Sequence, residues 1–315
     1  MAYKLDLYDK KLLYELDKNS KASVSELAKK IRRSKQFVLY RMKKFEEAGI
    51  ITGYHAIIDM SKLGYFTFRV YFKFQQMTGR EEKEFISYIK KSLKQVWTIT
   101  SMHGKWDNAL FLGVKTINEF HKIWDDLMLL YKEKIKSYNV AVYAPIYNFN
   151  RRFFLDEKKE SMQRIYGIGE KEKIERKDLQ LIEVYASNVR QSSLEIAQKL
   201  GVSAETIRKR IKELEKKKII VGYKIGLNLE KLGYTSYRVD LQLISTKKNK
   251  ELFDFCRYHK NIYQVNKSIG GADFEMEVIV ENLDHLIRLI NEIKNEFKDV
   301  VNDVALREIY FALAK

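Results

Sequence analysis

Apolar residues recur at helical spacing at the start of the chain. A first predicted helix carries these residues on one face: Leu5, Leu12, Leu13 and Leu16. A second, shorter helix follows Ser23 or Ser25, either of which is a typical N-terminal cap, and its apolar residues are Leu27, Ala28 and Ile31. Ser34 caps a third helix, which Gly49 ends. Three short helices with a tight turn between the last two predict a helix-turn-helix.

Residues 50–58 follow this helical segment and are rich in isoleucine. Their pattern predicts two short strands around a turn, with Gly53-Tyr54 in the middle of the segment. Two strands in this place form a wing, so we expect a winged helix-turn-helix.

Alternating aromatic residues mark Tyr65 to Gln75 as a strand. The elements predicted after it are a helix over Glu81–Leu93, strands over Val96–Met102 and Asn108–Val114, a helix over Asn118–Tyr131 and a strand over Ser137–Tyr143. The order βαββαβ is that of a ferredoxin-like domain. Since helices cover one face of such a sheet, the other face needs a partner. We expect two sheets to pair, as an intramolecular pseudo-dimer or as a homo-oligomer.

The whole arrangement occurs twice. Gly53-Tyr54 and Gly222-Tyr223 are 169 residues apart. The same offset aligns Asp9 with Asp178, Lys21 with Arg190, Ser34 with Ser203, Arg41 with Arg210 and Arg69 with Arg238. Further on the offset is 166, which aligns Gly104 with Gly270 and Asp107 with Asp273. The second set of βαββαβ elements is predicted over Tyr234–Ile244, Glu251–Tyr258, Val265–Ile269, Phe274–Val280, Leu283–Phe297 and Val300–Phe311.

The predicted fold class is α+β, with two winged helix-turn-helix domains, each followed by a ferredoxin-like βαββαβ domain. The expected domains are 1–60 and 61–150 for copy one, 175–229 and 230–315 for copy two, and a linker over 151–174. Phe153, Phe154 and Leu155 make this linker more apolar than a free linker, so we expect part of it to pack as a short helix.

Composition narrows the choice of partner and compartment. The formal net charge of +17 favours a polyanion, with nucleic acid ahead of an anionic membrane. The longest apolar runs fall short of 18 residues, and the first ten residues lack an apolar signal core. The single cysteine, Cys256, excludes a disulfide framework within the chain and a cysteine zinc site. These observations predict a cytoplasmic protein without a membrane partner, a metal or a cofactor.

The third helix of each copy has polar and basic outward residues, which are typical of a helix that contacts DNA. Val38, Met42 and Phe45 form its buried stripe, so Gln36 and Tyr40 point outward. From Lys29 to Lys44 there are eight basic residues and no acidic ones. The residues expected to bind double-stranded DNA are Ser34, Lys35, Gln36, Tyr40, Arg41, Lys43 and Lys44 in copy one, and Ser203, Glu205, Thr206, Arg208, Lys209, Arg210 and Lys212 in copy two.

The outward residues differ between the copies, because Glu205 and Lys209 stand where copy one has Gln36 and Tyr40. If both helices read DNA, their half-sites differ. Glu205 either accepts a hydrogen bond from a cytosine amine or repels phosphate and leaves copy two weak.

Together these motifs resemble the leucine-responsive regulator/AsnC family of prokaryotic transcription regulators. In copy one the resemblance rests on Leu5-Asp6, Glu26-Leu27-Ala28 and the segment from Glu46 to Tyr54, and copy two repeats it. It implies a winged helix-turn-helix followed by a RAM/AsnC-type α+β domain that dimerises. It also implies an amino-acid-like effector near the loop between the second and third strands of that domain. The matching positions are Gly104, Asp107, Gly270, Gly271 and Asp273, and an ordinary hairpin turn with a capping aspartate is the alternative.

Two other functions remain open at this stage. One is an architectural DNA-binding protein without an effector. The other is an enzyme that resembles the siroheme decarboxylases, which pair or fuse two units of this kind. That enzyme needs histidine and arginine at the tetrapyrrole carboxylates, and only His103 of the five histidines lies in the loop of interest. We therefore expect a sequence-specific DNA-binding transcriptional regulator and no enzyme.

Overall fold

The computed structural model describes residues 3–155 and 161–313. Copy one consists of α1 (Leu7–Lys18), α2 (Val24–Ile31), α3 (Lys35–Glu47), β1 (Ile51–Ile58), β2 (Phe66–Phe74), α4 (Gly79–Ser92), β3 (Val96–His103), β4 (Asn108–Val114), α5 (Ile117–Tyr131) and β5 (Ile135–Phe149). Between the copies lies β6 (Gln163–Tyr166). Copy two consists of α6 (Arg176–Ser187), α7 (Ser193–Leu200), α8 (Ala204–Lys216), β7 (Ile220–Leu227), β8 (Thr235–Leu243), α9 (Asn249–Tyr258), β9 (Ile262–Ile269), β10 (Phe274–Val280), α10 (Leu283–Glu296) and β11 (Val301–Leu313).

The helix-turn-helix and the βαββαβ order are confirmed in both copies. Side-chain caps start the short helices where the sequence predicts them. Ser23 accepts a hydrogen bond from the backbone N–H of Glu26, whose carboxylate accepts one from the Ser23 N–H in return. Such a reciprocal cap gives hydrogen-bond acceptors to two backbone N–H groups at the start of α2, which the helix itself leaves unpaired. No helix among the described residues combines the length and the apolar character needed to cross a bilayer.

The predicted wing of two strands within one copy is wrong. Residues 51–58 form one strand, β1, and its antiparallel partner is β7 of the other copy. The register runs from Ile51 opposite Leu227 to Ile58 opposite Ile220. The period-2 pattern gives a strand correctly but does not say which strand lies beside it. The two helix-turn-helix units therefore share one two-stranded ribbon and one hydrophobic core.

The two α+β domains close into one antiparallel barrel. In copy one the strand order is β5-β2-β4-β3, and in copy two it is β11-β8-β10-β9. Two seams between the copies join these sheets: β3 pairs with β11, and β5 pairs with β9. Each of the eight strands consequently has two neighbours within the barrel, and both halves of the barrel come from one chain.

Each sheet places one face against its own helices and the other inside the barrel. Phe68, Val70 and Phe72 of β2 pack with α4 and α5 in one core, and β8 and β10 pack with α9 and α10 in another. The alternate residues of the same strands face inward, because side chains alternate across a strand. Arg69 and Arg238 lie on these inner faces and are buried.

The segment between the copies packs against both of them, but as a strand. Gln163–Tyr166 pairs with Phe149–Ile146 of β5, so the expected short helix is wrong for the described residues. Phe153, Phe154 and Leu155 are buried in the core beneath the helix-turn-helix pair. Residues 156–160 of the predicted linker lie outside the described residues.

Three arginines of this segment join the helix-turn-helix pair to the barrel. Arg151 donates to Asp17 at the end of α1, with Nε 2.9 Å from its carboxylate, and also to the Ile225 carbonyl of β7. Arg152 donates to two carbonyl oxygens at the end of α9, those of Arg257 at 2.5 Å and His259 at 3.1 Å.

Arg164 makes the most central of these contacts. Its guanidinium donates to the carbonyl oxygens of Asp17, Lys18 and Tyr223, all within 2.9 Å, and to the Asn148 side chain at 3.1 Å. Only 2% of this arginine is exposed, so water does not replace these bonds. Burial lowers the pKa of Arg164, and the nearby Asp17 partly offsets that effect.

Replacing Arg164 by methionine should destabilise the protein by about 3 kcal/mol, because two buried carbonyl groups and one partly buried carbonyl group lose their donor. Urea unfolding followed by circular dichroism measures this difference. Arg80→Met, at an exposed arginine of α4 paired only with Glu84, is the control and should change stability by less than about 0.5 kcal/mol. Equal stability of the two variants would contradict the proposed link.

Candidate nucleic-acid interface

The third helix of copy one, α3, presents the residues that its phasing predicts. Val38, Met42 and Phe45 are buried in the core, as expected. Tyr40 is 63% exposed, and these predicted contact residues are exposed as well: Lys35, Gln36, Lys43 and Lys44. The exposed face of α3 thus carries amide, phenol and amine groups, which suit base edges and phosphates.

The third helix of copy two, α8, is built in the same way. Ile207, Ile211 and Leu214 form its buried stripe. Its exposed predicted contact residues are Glu205, Arg208, Lys209 and Lys212. At matching positions the two exposed faces therefore differ in charge and in shape.

Five of the predicted DNA-binding residues make contacts that hold the helices in place. The Oγ atoms of Ser34 and Ser203 accept hydrogen bonds from the backbone N–H groups of Phe37 and Thr206, both at 3.1 Å, and so cap α3 and α8. Thr206 bonds the Ser203 hydroxyl through its own side chain at 2.8 Å. Arg41 and Arg210 point back toward the first helix of their own copies.

Arg41 binds both carboxylates of the cap that starts α1. Its guanidinium lies 2.8 Å from Asp6 and 3.1 Å from Asp9. Burial raises the pKa of Asp9, an effect that the Asp6 backbone and Arg41 oppose. Arg41 therefore fixes the angle between α1 and α3, which is a positioning role.

Arg210 repeats this contact in copy two. It lies 2.7 Å from Glu175 and 2.7 Å from Asp178, which start α6. Hydrogen bonds to these two carboxylates raise the pKa of Arg210. The repeated arginine of the sequence motif is thus explained by structure in both copies.

The repeated glycine-tyrosine pair anchors the other end of the third helix. The Tyr54 hydroxyl donates to Glu46 in the last turn of α3 at 2.5 Å, and Tyr223 donates to Glu215 of α8. Lys21 of copy one lies 2.8 Å from Glu215, and Arg190 of copy two lies over the Tyr54 ring. The sequence aligns Lys21 with Arg190 but predicts no role for either residue. The structure shows that both make contacts between the copies.

The turn before α3 differs between the copies. Arg32 ends α2 in the left-handed conformation with φ of 56°, and Gly201 ends α7 with φ of 63°. Glycine adopts this conformation without a steric penalty, whereas arginine does not. Copy one therefore holds an exposed arginine in a strained turn directly before α3.

The predicted effector loops contain capping aspartates in both copies. Asp107 accepts from the Phe74 N–H at 2.8 Å, and Asp273 accepts from the matching Leu243 N–H at 2.9 Å. In copy one Lys73 also closes the loop, since its Nζ lies 2.6 Å from Asp107 and 3.1 Å from the Gly104 carbonyl. Copy two has Gln242 where copy one has Lys73.

A cavity of about 430 Å³ lies beside the loop of copy two. Its lining residues come from β5, α9, β9 and the start of β10: Tyr147, Asn249, Lys250, Phe253, Lys267, Ser268, Asp273 and Phe274. Of the five predicted effector residues, only Asp273 lines it. Gly270 has φ of 84° and approaches the Val140 carbonyl, and Gly271 lies against Ser268 and Glu275, so both act in the turn itself.

The five histidines lie on different elements, and the pKa of His259 is lowered mainly by burial and also by the nearby His285. His55 is on β1, His103 ends β3, His121 is on α5, His259 follows α9 and His285 is on α10. Among the described residues, no three His, Cys, Asp or Glu side chains are grouped as metal ligands would be.

Comparison of the sequence with known proteins finds DNA-binding proteins with the same helix-turn-helix. The family model described as winged helix-turn-helix DNA-binding matches residues 5–52 and again residues 174–221. The HTH-type transcriptional regulator LrpA of Pyrococcus horikoshii is 32% identical over 117 residues, which are 37% of this chain and 74% of that protein. An HTH-type transcriptional regulator of Pyrococcus furiosus is 34% identical over 121 residues, which are 38% of this chain and 78% of that protein.

Among solved structures, the siroheme decarboxylase NirDL aligns with a TM-score of 0.63 and 15% identity. The alignment covers 96% of this chain and 90% of that one. At this identity the likeness shows a shared fold and nothing about activity.

Replacing Arg41 by alanine should destabilise the protein by about 2 kcal/mol, because Asp9 is left buried without its cation. Arg210→Ala should cost less, since the Asp178 side chain is 13% exposed and that of Asp9 only 2%. Thermal unfolding of both variants measures the difference. A normal unfolding temperature together with a weaker salt dependence of DNA binding would instead make Arg41 a phosphate contact.

Proposed function

Since the chain belongs to the leucine-responsive regulator/AsnC family of winged helix-turn-helix transcriptional regulators, it is a DNA-binding regulator, and we propose that its unlike recognition helices read a non-palindromic site. The observation that carries this proposal is the pairing of two similar units with different exposed faces. The β1–β7 ribbon and the shared core hold the units together, and Lys21 and Arg190 make further contacts between them. Gln36 and Tyr40 in one unit occupy the positions that Glu205 and Lys209 occupy in the other.

In this proposal each recognition helix reads one half of the site. Gln36 suits adenine, with which an amide side chain forms two hydrogen bonds, and Glu205 accepts from the amine of cytosine. Lys35, Lys43, Lys209 and Lys212 neutralise phosphates. Arg32, exposed beside α3, adds a charge to the face of copy one.

Tyr40→Ala and Lys209→Ala should change protection in different halves of a footprint on the bound fragment, because they lie on different helices. Lys209→Ala should also lower the slope of log affinity against log salt by about 1. Lys122→Ala, at an exposed lysine of α5, is the control and should leave the footprint unchanged. Identical footprint changes for both variants would refute two distinct readers.

The cavity of copy two supports a proposal for regulation by a small effector. Lys250 and Lys267 offer cations to a carboxylate, Asp273 offers an acceptor to an amine, and Phe253 and Phe274 provide apolar walls. This combination suits an amino acid. In copy one Lys73 already occupies the matching aspartate, so we propose one effector site in each chain.

Lys267→Ala should weaken amino-acid binding about tenfold, because one charge-assisted hydrogen bond is lost. Lys73→Ala is the matched variant in copy one and should leave that affinity unchanged. Thermal shifts with a panel of amino acids identify the ligand, and calorimetry of the two variants gives the affinities. If none of the panel binds or alters DNA affinity, the architectural alternative without an effector is favoured.

The side chains of the barrel also support a role other than catalysis. The histidines are spread over four elements and the segment after α9, and only His103 lies near an effector loop. The inner face of the barrel is occupied by buried arginines paired with carboxylates. Groups that are already paired are poorly suited to bind the carboxylates of a tetrapyrrole.

A further inference from the structure

Among the residues whose burial the structure describes, six buried charged residues lie inside the barrel, and the two copies contribute them unequally. Copy one supplies Arg69 alone. Copy two supplies the other five: Arg238, Asp240, Glu275, Glu277 and Arg307. Three arginines therefore meet three carboxylates, and the closed barrel is neutral inside.

The strand register shows why the contributions differ. On its own sheet Arg69 lies opposite Phe111 of β4 and Ala141 of β5. The matching arginine of copy two, Arg238, lies opposite Glu277 of β10 and Arg307 of β11. Copy one thus has an aromatic ring and a methyl group where copy two has charged side chains.

Arg69 depends on the other copy for its counter-charge. Its Nη1 lies 3.6 Å from Glu277 Oε1, across the barrel. Both side chains are almost fully buried, at 6% and 5% exposure, so water does not neutralise either charge.

The other charges are grouped around Arg238, whose Nη1 also lies 3.9 Å from Glu277 Oε1. Its Nε lies 2.8 Å from Asp240, and it also contacts Glu275 and donates to the Tyr143 hydroxyl of copy one at 2.5 Å. Arg307 lies 2.5 Å from the other oxygen of Asp240. Burial opposes ionisation of Asp240, but Arg238 and Arg307 outweigh it, so the pKa of this carboxyl lies below its ordinary value.

We propose that the inner faces of the two α+β domains are complementary to each other and not to themselves, so that each domain accepts only a domain of the other type as its partner. Two copy-one domains would bury two arginines without a carboxylate. Two copy-two domains would bury two negative charges in excess. An uncompensated buried charge is strongly destabilising, and only the unlike pair avoids it.

Three variants of the full chain test the complementarity. Glu277→Gln leaves Arg69 without its carboxylate and should lower the folded-to-unfolded ratio on the order of 100-fold. Arg69→Met added to Glu277→Gln removes the stranded charge and should recover most of that loss. Arg69→Met alone leaves one surplus negative charge and should be less stable than the double variant. Urea unfolding gives the three ratios.

The exposed pair Arg80 and Glu84 provides the matched control, since neutralising one or both of its members should change the ratio less than threefold. If the double variant at Arg69 and Glu277 is no more stable than Glu277→Gln alone, the proposal is overturned.

Partner choice is tested by mixing two full-length chains. Arg69→Glu makes copy one acidic and Glu277→Arg makes copy two basic, so neither chain closes a neutral barrel by itself. Refolded together, they offer neutral pairs only between chains. We expect a one-to-one complex, detected by two different affinity tags and by native mass. A mixture in which each variant behaves as it does alone overturns the proposed choice of partner.

Discussion

The two seams of the barrel, β3 with β11 and β5 with β9, are the constraint on which the rest of the structure depends. They hold the sheets of the two copies edge to edge, and closure then buries the inner face of every strand. Inward side chains consequently lose contact with water, which makes the balance of charge inside the barrel an energetic requirement. The same closure places the two strand-turn-strand loops and the cavity of copy two at defined positions.

Closure also determines where the helix-turn-helix pair lies. β5 extends beyond its pairing with β2, and its last residues pair with β6. Arg151, just after β5, and Arg164 on β6 reach α1 and β7, while Arg152 reaches the end of α9. The other end of α9 lines the cavity. A single buried segment thus contacts both the DNA-binding pair and the helix beside the cavity.

Much of the fold follows from local patterns in the sequence. Caps such as Ser23 and Ser34, the stripe of Val38, Met42 and Phe45, and the alternation of β2 each identify an element and its buried face. Partners in space do not follow from those patterns. β1 has the period of a strand, but nothing in residues 51–58 indicates that its neighbour is β7. Arg41 has the type and place of a phosphate contact, and only the position of Asp6 and Asp9 shows that it is engaged. The sequence contains the charged residues of the barrel strands, but only the strand register shows that they face one another inside the barrel.

Both barrel halves belong to one chain, so assembly of the barrel does not depend on protein concentration in the way that assembly from two subunits does. Two separate subunits dissociate on dilution, whereas halves joined by a linker meet at an effective concentration set by the linker and not by the amount of protein. The barrel and the β1–β7 ribbon therefore form within a single molecule, and their formation needs no second copy of the chain.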